Sequence, residues 1–154
     1  RSTLALRRLV EFTFDHHAGN EFFIRLVMAE NMERGTYLAQ SPTIQQLNVP
    51  AIQAIRHLYE RGVAQGVFRP GLDPVDIHAS ISALTFFNVS NQHTFGLIFK
   101  VDLRDPKVLA QRRKSVVDMV DELAQDDHGL VMCMGKGGVG KTTIAASLAL
   151  ASWR

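Results

Sequence analysis

Apolar residues recur every three to four positions over most of this chain, and polar punctuation cuts the pattern into helices. The spacing predicts helices over residues 3 to 17, 21 to 39, 50 to 65, 74 to 97 and 106 to 125, joined by short connections. Leu4, Leu6, Leu9, Val10 and Phe14 share the first, and Gly19-Asn20 closes it and opens the next. Phe22, Phe23, Leu26 and Val27 give the second a broad apolar start. Asp73-Pro74 and Asp105-Pro106 are helix starts, because an aspartate accepts orphan backbone donors while proline tolerates the first helical position. Ser41-Pro42 marks a short helical turn, and Asn48-Val49-Pro50 starts a helix that Gly66 ends. Within it Ile52, Ile55, Leu58, Tyr59 and Val63 form one buried stripe.

Two helices carry more apolar surface than one neighbour covers. In 74 to 97, Ile77, Ile81, Leu84 and Phe95 line one face and Val75, Ala79, Phe86 and Val89 a second. The last helix sets Val108, Leu109, Val116, Met119, Val120 and Leu123 against a charged face that includes Arg112, Arg113, Lys114 and Asp118. Both suit pairing with their copies in a homodimer. The basic run 112 to 114 is most simply a solvated helix face.

The texture changes after Gln125. Asp126-Asp127-His128-Gly129 is a polar break, and Leu130 to Met134 is a continuous apolar run suited to a buried parallel strand. Gly135-Lys136-Gly137-Gly138-Val139-Gly140-Lys141-Thr142 then satisfies the phosphate-loop pattern G-x-x-x-x-G-K-[ST], and Ile144 to Ala151 suits the helix that follows such a loop. Glycines let backbone N–H groups converge on phosphate oxygens, and the helix adds its positive end. Lys141 would reach the β and γ phosphates of ATP, Thr142 would hold Mg²⁺ through the nucleotide, and Thr143 would bond the α-phosphate. The fold class expected is therefore mainly α, with a strand, P-loop and helix of α/β type at the C-terminal end.

Composition narrows the setting. The chain has 154 residues, 46% hydrophobic and 21% charged, as in an ordinary globular protein. Its 17 Lys and Arg against 15 Asp and Glu are too balanced to argue for a nucleic-acid surface. A single cysteine, Cys133, excludes an internal disulfide and a multi-cysteine metal site. With no secretory leader and no membrane-spanning run, a cytoplasmic location without membrane insertion is expected. A start at Arg1 and an end at Ala151-Ser152-Trp153-Arg154 read as a fragment.

The second lysine of the loop, Lys136, makes Gly135 to Thr143 resemble the deviant P-loop of the ArsA and ParA ATPases. The stretch from Asp121 to Ala151, with His128-Gly129-Leu130-Val131-Met132 before the loop, is similar to the start of the second half of an arsenical pump-driving ATPase. The resemblance implies ATP and Mg²⁺ as ligands and a lysine at 136 that faces a partner's nucleotide across a dimer. Since twelve residues follow Thr142, no catalysis is expected from this chain alone and at best weak phosphate binding.

Residues 1 to about 119 resemble the C-terminal effector-binding and dimerisation domain of TetR-family transcriptional regulators. Phe22-Phe23-Ile24-Arg25-Leu26 with Glu30-Asn31, Arg61 to Arg69, Asp73-Pro74-Val75-Asp76-Ile77-His78 and Phe86 to Phe95 carry the likeness. It implies two domains, 1–120 for ligand binding and dimerisation and 121–154 for a truncated P-loop segment. It further implies a homodimer through helices 74 to 97 and 106 to 125, a small-molecule effector, and DNA contact only through a helix-turn-helix head that this chain lacks. Polar or aromatic residues among apolar ones are the pocket candidates: His16, Tyr59, Phe87, Asn88, Asn91 and His93, with His17 beside the first. Such a histidine or asparagine is as ordinarily solvated or satisfied by backbone. A regulator domain, a P-loop ATPase and a joining of pieces of both remain open. A junction between Met119 and Asp126 would fall inside one expected helix.

Overall fold

Aspartate caps set two of the helix starts. A computed structural model describes residues 1–47 and 49–125. Among these the elements are α1 (Ser2–Gly19), α2 (Glu21–Met32), a 3-10 turn (Leu38–Gln40), α3 (Pro42–Leu47), α4 (Val49–Ala64), α5 (Pro74–Ser90), α6 (Gln92–Phe99) and α7 (Pro106–Gln125), with no strand. Asp73 caps α5 by accepting the Val75 N–H at 2.9 Å, and Asp105 caps α7 by accepting the Lys107 N–H at 2.8 Å. The expected strand 130 to 134, the P-loop residues 135 to 143, the helix 144 to 151 and the cap signal at Asn48 lie outside the described residues.

Two expected helices are shorter than their apolar pattern. The one read over 21 to 39 ends at Met32, because Arg34 (φ 57) and Gly35 (φ 75) turn left-handed and the Gly35 N–H closes on the Glu30 carbonyl at 2.9 Å. Glu30 Oε1 then accepts both the Tyr37 and Leu38 N–H groups, each at 2.8 Å, and starts the 3-10 turn. The one read over 74 to 97 breaks between Ser90 and Gln92, with Asn91 at φ −107 and ψ 6. There Ser90 Oγ donates to Asn91 Oδ1 at 2.6 Å, and short polar side chains of this kind compete with helix backbone.

Helix α1 is the central element, in contact with α2, α4, α5 and α7. Its buried face is Ser2, Leu6, Val10, Phe14 and His17, a spacing of three to four residues that leaves Leu4 exposed. Leu6, Val10 and Phe14 meet Tyr59, Phe68, Ile81, Val116, Val117 and Val120 in one core. In α2 only Ile24 is buried, and Phe22 stands 81% exposed. Charged side chains flank the α1–α7 seam. Arg113 forks onto Asp15, Nε and Nη2 donating to its two oxygens at 2.8 and 2.9 Å, and Nη1 donates to Glu11 at 3.0 Å. Arg113 is therefore tied to α1, unlike the solvated face expected of residues 112 to 114. At the other end of the seam Arg7 bonds Asp121 and reaches Asp118 at 3.4 Å.

Candidate functional site

The sequence Gly62 to Asp73 folds back over the end of α4 and roofs a cavity. Helix α4 ends at Ala64, Gly66 turns left-handed (φ 67), and the Val67 and Phe68 N–H groups both turn back to the Gly62 carbonyl, at 3.0 and 3.3 Å. Tyr59, one turn earlier, holds the returning chain: its hydroxyl donates to the Arg69 carbonyl at 3.0 Å and accepts the Leu72 N–H at 2.9 Å. The Arg69 N–H donates to the Ala124 carbonyl at 2.9 Å, which fastens the loop to α7.

The cavity beneath measures about 150 Å³ and draws walls from α1, α4, α5, α7 and the loop. Leu6, Ile55, Tyr59, Phe68, Val120 and Ala124 form its buried, apolar floor. Gly71, Asp73, Asp76 and Ser80 form its exposed mouth. Such a space is large enough for one small ring and too apolar to hold ordered water strongly.

A second cluster lies where α1, α2 and α5 meet. Thr85 Oγ1 donates to the Ile81 carbonyl at 2.8 Å, so toward His17 Nδ1, 2.9 Å away, it is the acceptor and the imidazole carries its proton on Nδ1. Phe23 stacks on the His17 ring and Phe86 meets it edge-on. Burial, and then the fields of His16 and His78, push the His17 pKa below the usual histidine value. The arrangement holds a neutral histidine in place. Among the described residues no group of three or more His, Cys, Asp or Glu is placed to bind a metal, and no helix is long and apolar enough to cross a membrane.

The residues singled out from sequence fall in different places. Tyr59 lines the cavity. Asn88 is buried near the far end of α5, donating to the Leu103 carbonyl at 3.3 Å. Asn91 sits at the α5–α6 break, and exposed His93 stands 3.8 Å from Glu21. His16 is exposed and stacks with Phe12. Phe87 meets Phe95 edge-on and borders an open groove between α2 and α5. These five do not line the cavity that Tyr59 lines. Phe68, Leu72 and Asp76, which do, were not singled out. Asp76 was findable, since Asp73-Pro74 fixes the start of α5 and places Asp76 in its first turn.

A family model described as the tetracyclin repressor-like C-terminal domain matches residues 3–120. The HTH-type transcriptional repressor NicS of Pseudomonas putida is 30% identical over 115 residues, which is 75% of this chain and 54% of the repressor. The chain thus spans about half the length of that relative. Arsenical pump-driving ATPases of Acidiphilium multivorum and Escherichia coli are each 58% identical over 36 residues, 23% of this chain and 6% of the ATPase.

Proposed function

This chain belongs to the tetracyclin repressor-like C-terminal domain family, and we propose that it is the effector-sensing, dimerising part of a transcriptional regulator whose small-molecule site is the cavity beneath the 66–72 loop. The cavity lining, apolar at its floor and drawn from four helices and the loop, is the observation that carries this reading. An occupant there would touch α1, α4, α5 and α7 together, so its binding energy can bias how they pack. A regulator of this kind needs that coupling between ligand and helix spacing. DNA recognition is assigned to a helix-turn-helix head outside these residues, in keeping with the similarity to an HTH-type repressor from Pseudomonas putida.

Benzene tests the cavity directly. A ligand that binds only the native state raises stability by RT ln(1 + [L]/Kd). Benzene is expected to raise the thermal midpoint, and Leu58→Trp, which fills the cavity from its wall, is expected to abolish that shift. A folded chain whose midpoint ignores benzene overturns the assignment.

The 36-residue likeness to arsenical pump-driving ATPases, with the signature at Gly135 to Thr143, supports a second reading for the segment after Gln125. In that reading 121–154 is a P-loop segment that takes the phosphates of Mg-ATP through backbone N–H groups and Lys141, with Thr142 on the metal. Mg-ATP binding that disappears in Lys141→Ala supports it, and binding unchanged by that substitution overturns it.

A further inference from the structure

We infer that the cavity selects a small apolar molecule bearing a protonated amine, its ring on the floor and its amine at the mouth against Asp76 and Ser80; the inference rests on reading the cavity as the effector site. The floor dictates the body of the ligand. Its walls present carbon, and the one floor hydroxyl, on Tyr59, already donates to the Arg69 carbonyl and accepts the Leu72 N–H. A polar group placed there would lose its water without replacement, so the buried part of the occupant is hydrocarbon. At about 150 Å³ the space matches one six-membered ring.

The mouth dictates the head. Two carboxylates, Asp73 and Asp76, and one guanidinium, Arg69, belong to the lining. Asp73 is occupied as the cap of α5, where it accepts the Val75 N–H. That cap also takes up the helix terminus that would otherwise attract an anion. Arg69 has an interaction of its own and is not a free cation. Asp76 has no hydrogen-bond or ion-pair partner among the described residues, and Ser80 stands one turn further along the same helix. An ammonium group at the mouth, with the ring below, therefore meets a carboxylate and a hydroxyl one helical turn apart. A carboxylate head would meet net negative charge instead. Because Asp76 is exposed, water and salt weaken the pair, and the expected discrimination is modest, about fivefold.

Benzylamine, benzyl alcohol and benzoate share one ring and differ in the head, so calorimetric titration of the whole chain with each separates the two parts of the site. Benzylamine is expected to bind about fivefold more tightly than benzyl alcohol, and benzoate more weakly than either. In Asp76→Asn, and in high salt, the amine advantage is expected to vanish while benzyl alcohol binds as before. Equal binding of amine and alcohol overturns the head-group assignment and leaves the cavity as the effector site. Tightest binding of benzoate overturns it in favour of an anion read by Arg69. Failure of all three on a chain that still binds benzene also overturns it, whereas failure of benzene itself overturns the effector site.

Discussion

The ring of Phe68 occupies the space that a side chain at Gly62 would need: a Cβ there would lie 1.9 Å from Phe68 Cδ2 and 2.3 Å from Cε2. Gly62 is inside α4, where glycine is about 1 kcal/mol worse than alanine on helix propensity alone. The notch outweighs propensity, because Phe68 is buried and its ring can leave the notch only by moving into the cavity it lines. Overpacking of a core typically costs about 1–3 kcal/mol. Gly62→Ala is thus expected to lose up to about 2 kcal/mol net in urea unfolding. Phe68→Leu in the Gly62→Ala background should recover part of the loss. A stabilised Gly62→Ala protein would show that the loop shifts freely and that the notch does not fix where Phe68 lines the cavity.

This contact also shows where sequence is legible. Gly66 as a helix end and Asp73-Pro74 as a helix start are local chemistry, written in the residues that perform it. The Phe68 ring in a notch at position 62 is decided by how the loop returns, which depends on left-handed turns at Gly66 and Gly71 and on the Tyr59 hydroxyl. Tyr59 stood out as a polar group on an apolar stripe. Asn88, Asn91 and His93 stood out for the same reason, yet they follow Ser80 by two to four helical turns and so sit far along α5 and α6 from the mouth. Likewise the α1 pattern displayed Leu4 as prominently as Leu6, and only the placement of four neighbouring helices selects the face that runs through Ser2 and His17.

Burial of His17 predicts a one-sided pH response. Its folded pKa lies below the unfolded value of about 6.5, so as pH falls through that value the unfolded chain takes up the proton first. Stability is therefore fully present above about pH 6.5 and falls as pH drops toward the folded value. Urea midpoints should be flat from about pH 7 upward and decline below about pH 6.5, and His17→Asn should remove the His17 share of that decline. Thr85→Val, which takes away the acceptor for Nδ1–H, is expected to destabilise by about 1–2 kcal/mol at neutral pH. A decline unchanged in His17→Asn would assign the response to another group.

Asp121 behaves in the opposite sense. Burial raises its pKa, the hydrogen bond from Arg7 opposes that rise, and its Oδ1 is buried without a hydrogen-bond partner among the described residues. A carboxyl whose folded pKa is raised binds protons more readily in the native state, so its contribution to stability worsens as pH climbs through the window above about 3.9. Replacing Arg7 by Met removes the opposing pull and widens that window upward. The Arg7→Met protein should be most destabilised at neutral pH and recover toward about pH 5, and Arg7→Met with Asp121→Asn should be more stable at neutral pH than Arg7→Met alone. A loss in Arg7→Met that is the same at both pH values would mean that packing of the Arg7 stem, and not the buried carboxylate, is what the substitution disturbs.

The outer faces of α5 and α6 predict self-association. Leu97, Ile98 and Phe99 end α6 with 82, 71 and 62% exposure, and Val75 and Phe87 are exposed along α5, an unusual amount of apolar surface to leave in water. Helix α7 has already used Val116, Val117, Val120 and Ala124 in the core, while Val108, Arg112 and Met119 remain half-exposed along its other side. A second copy supplies matching helices for both surfaces by two-fold symmetry, in which each patch meets its own counterpart. Light scattering during size-exclusion chromatography should therefore give twice the 17.1 kDa chain mass at micromolar concentration. Leu97→Glu with Ile98→Glu places two charges in the contact and should shift the protein toward monomer without lowering its helical content, since both side chains are outside the core. A chain that is already monomeric at that concentration would remove α5, α6 and α7 from the interface. It would also leave a ligand in the cavity with no second subunit whose spacing it could change.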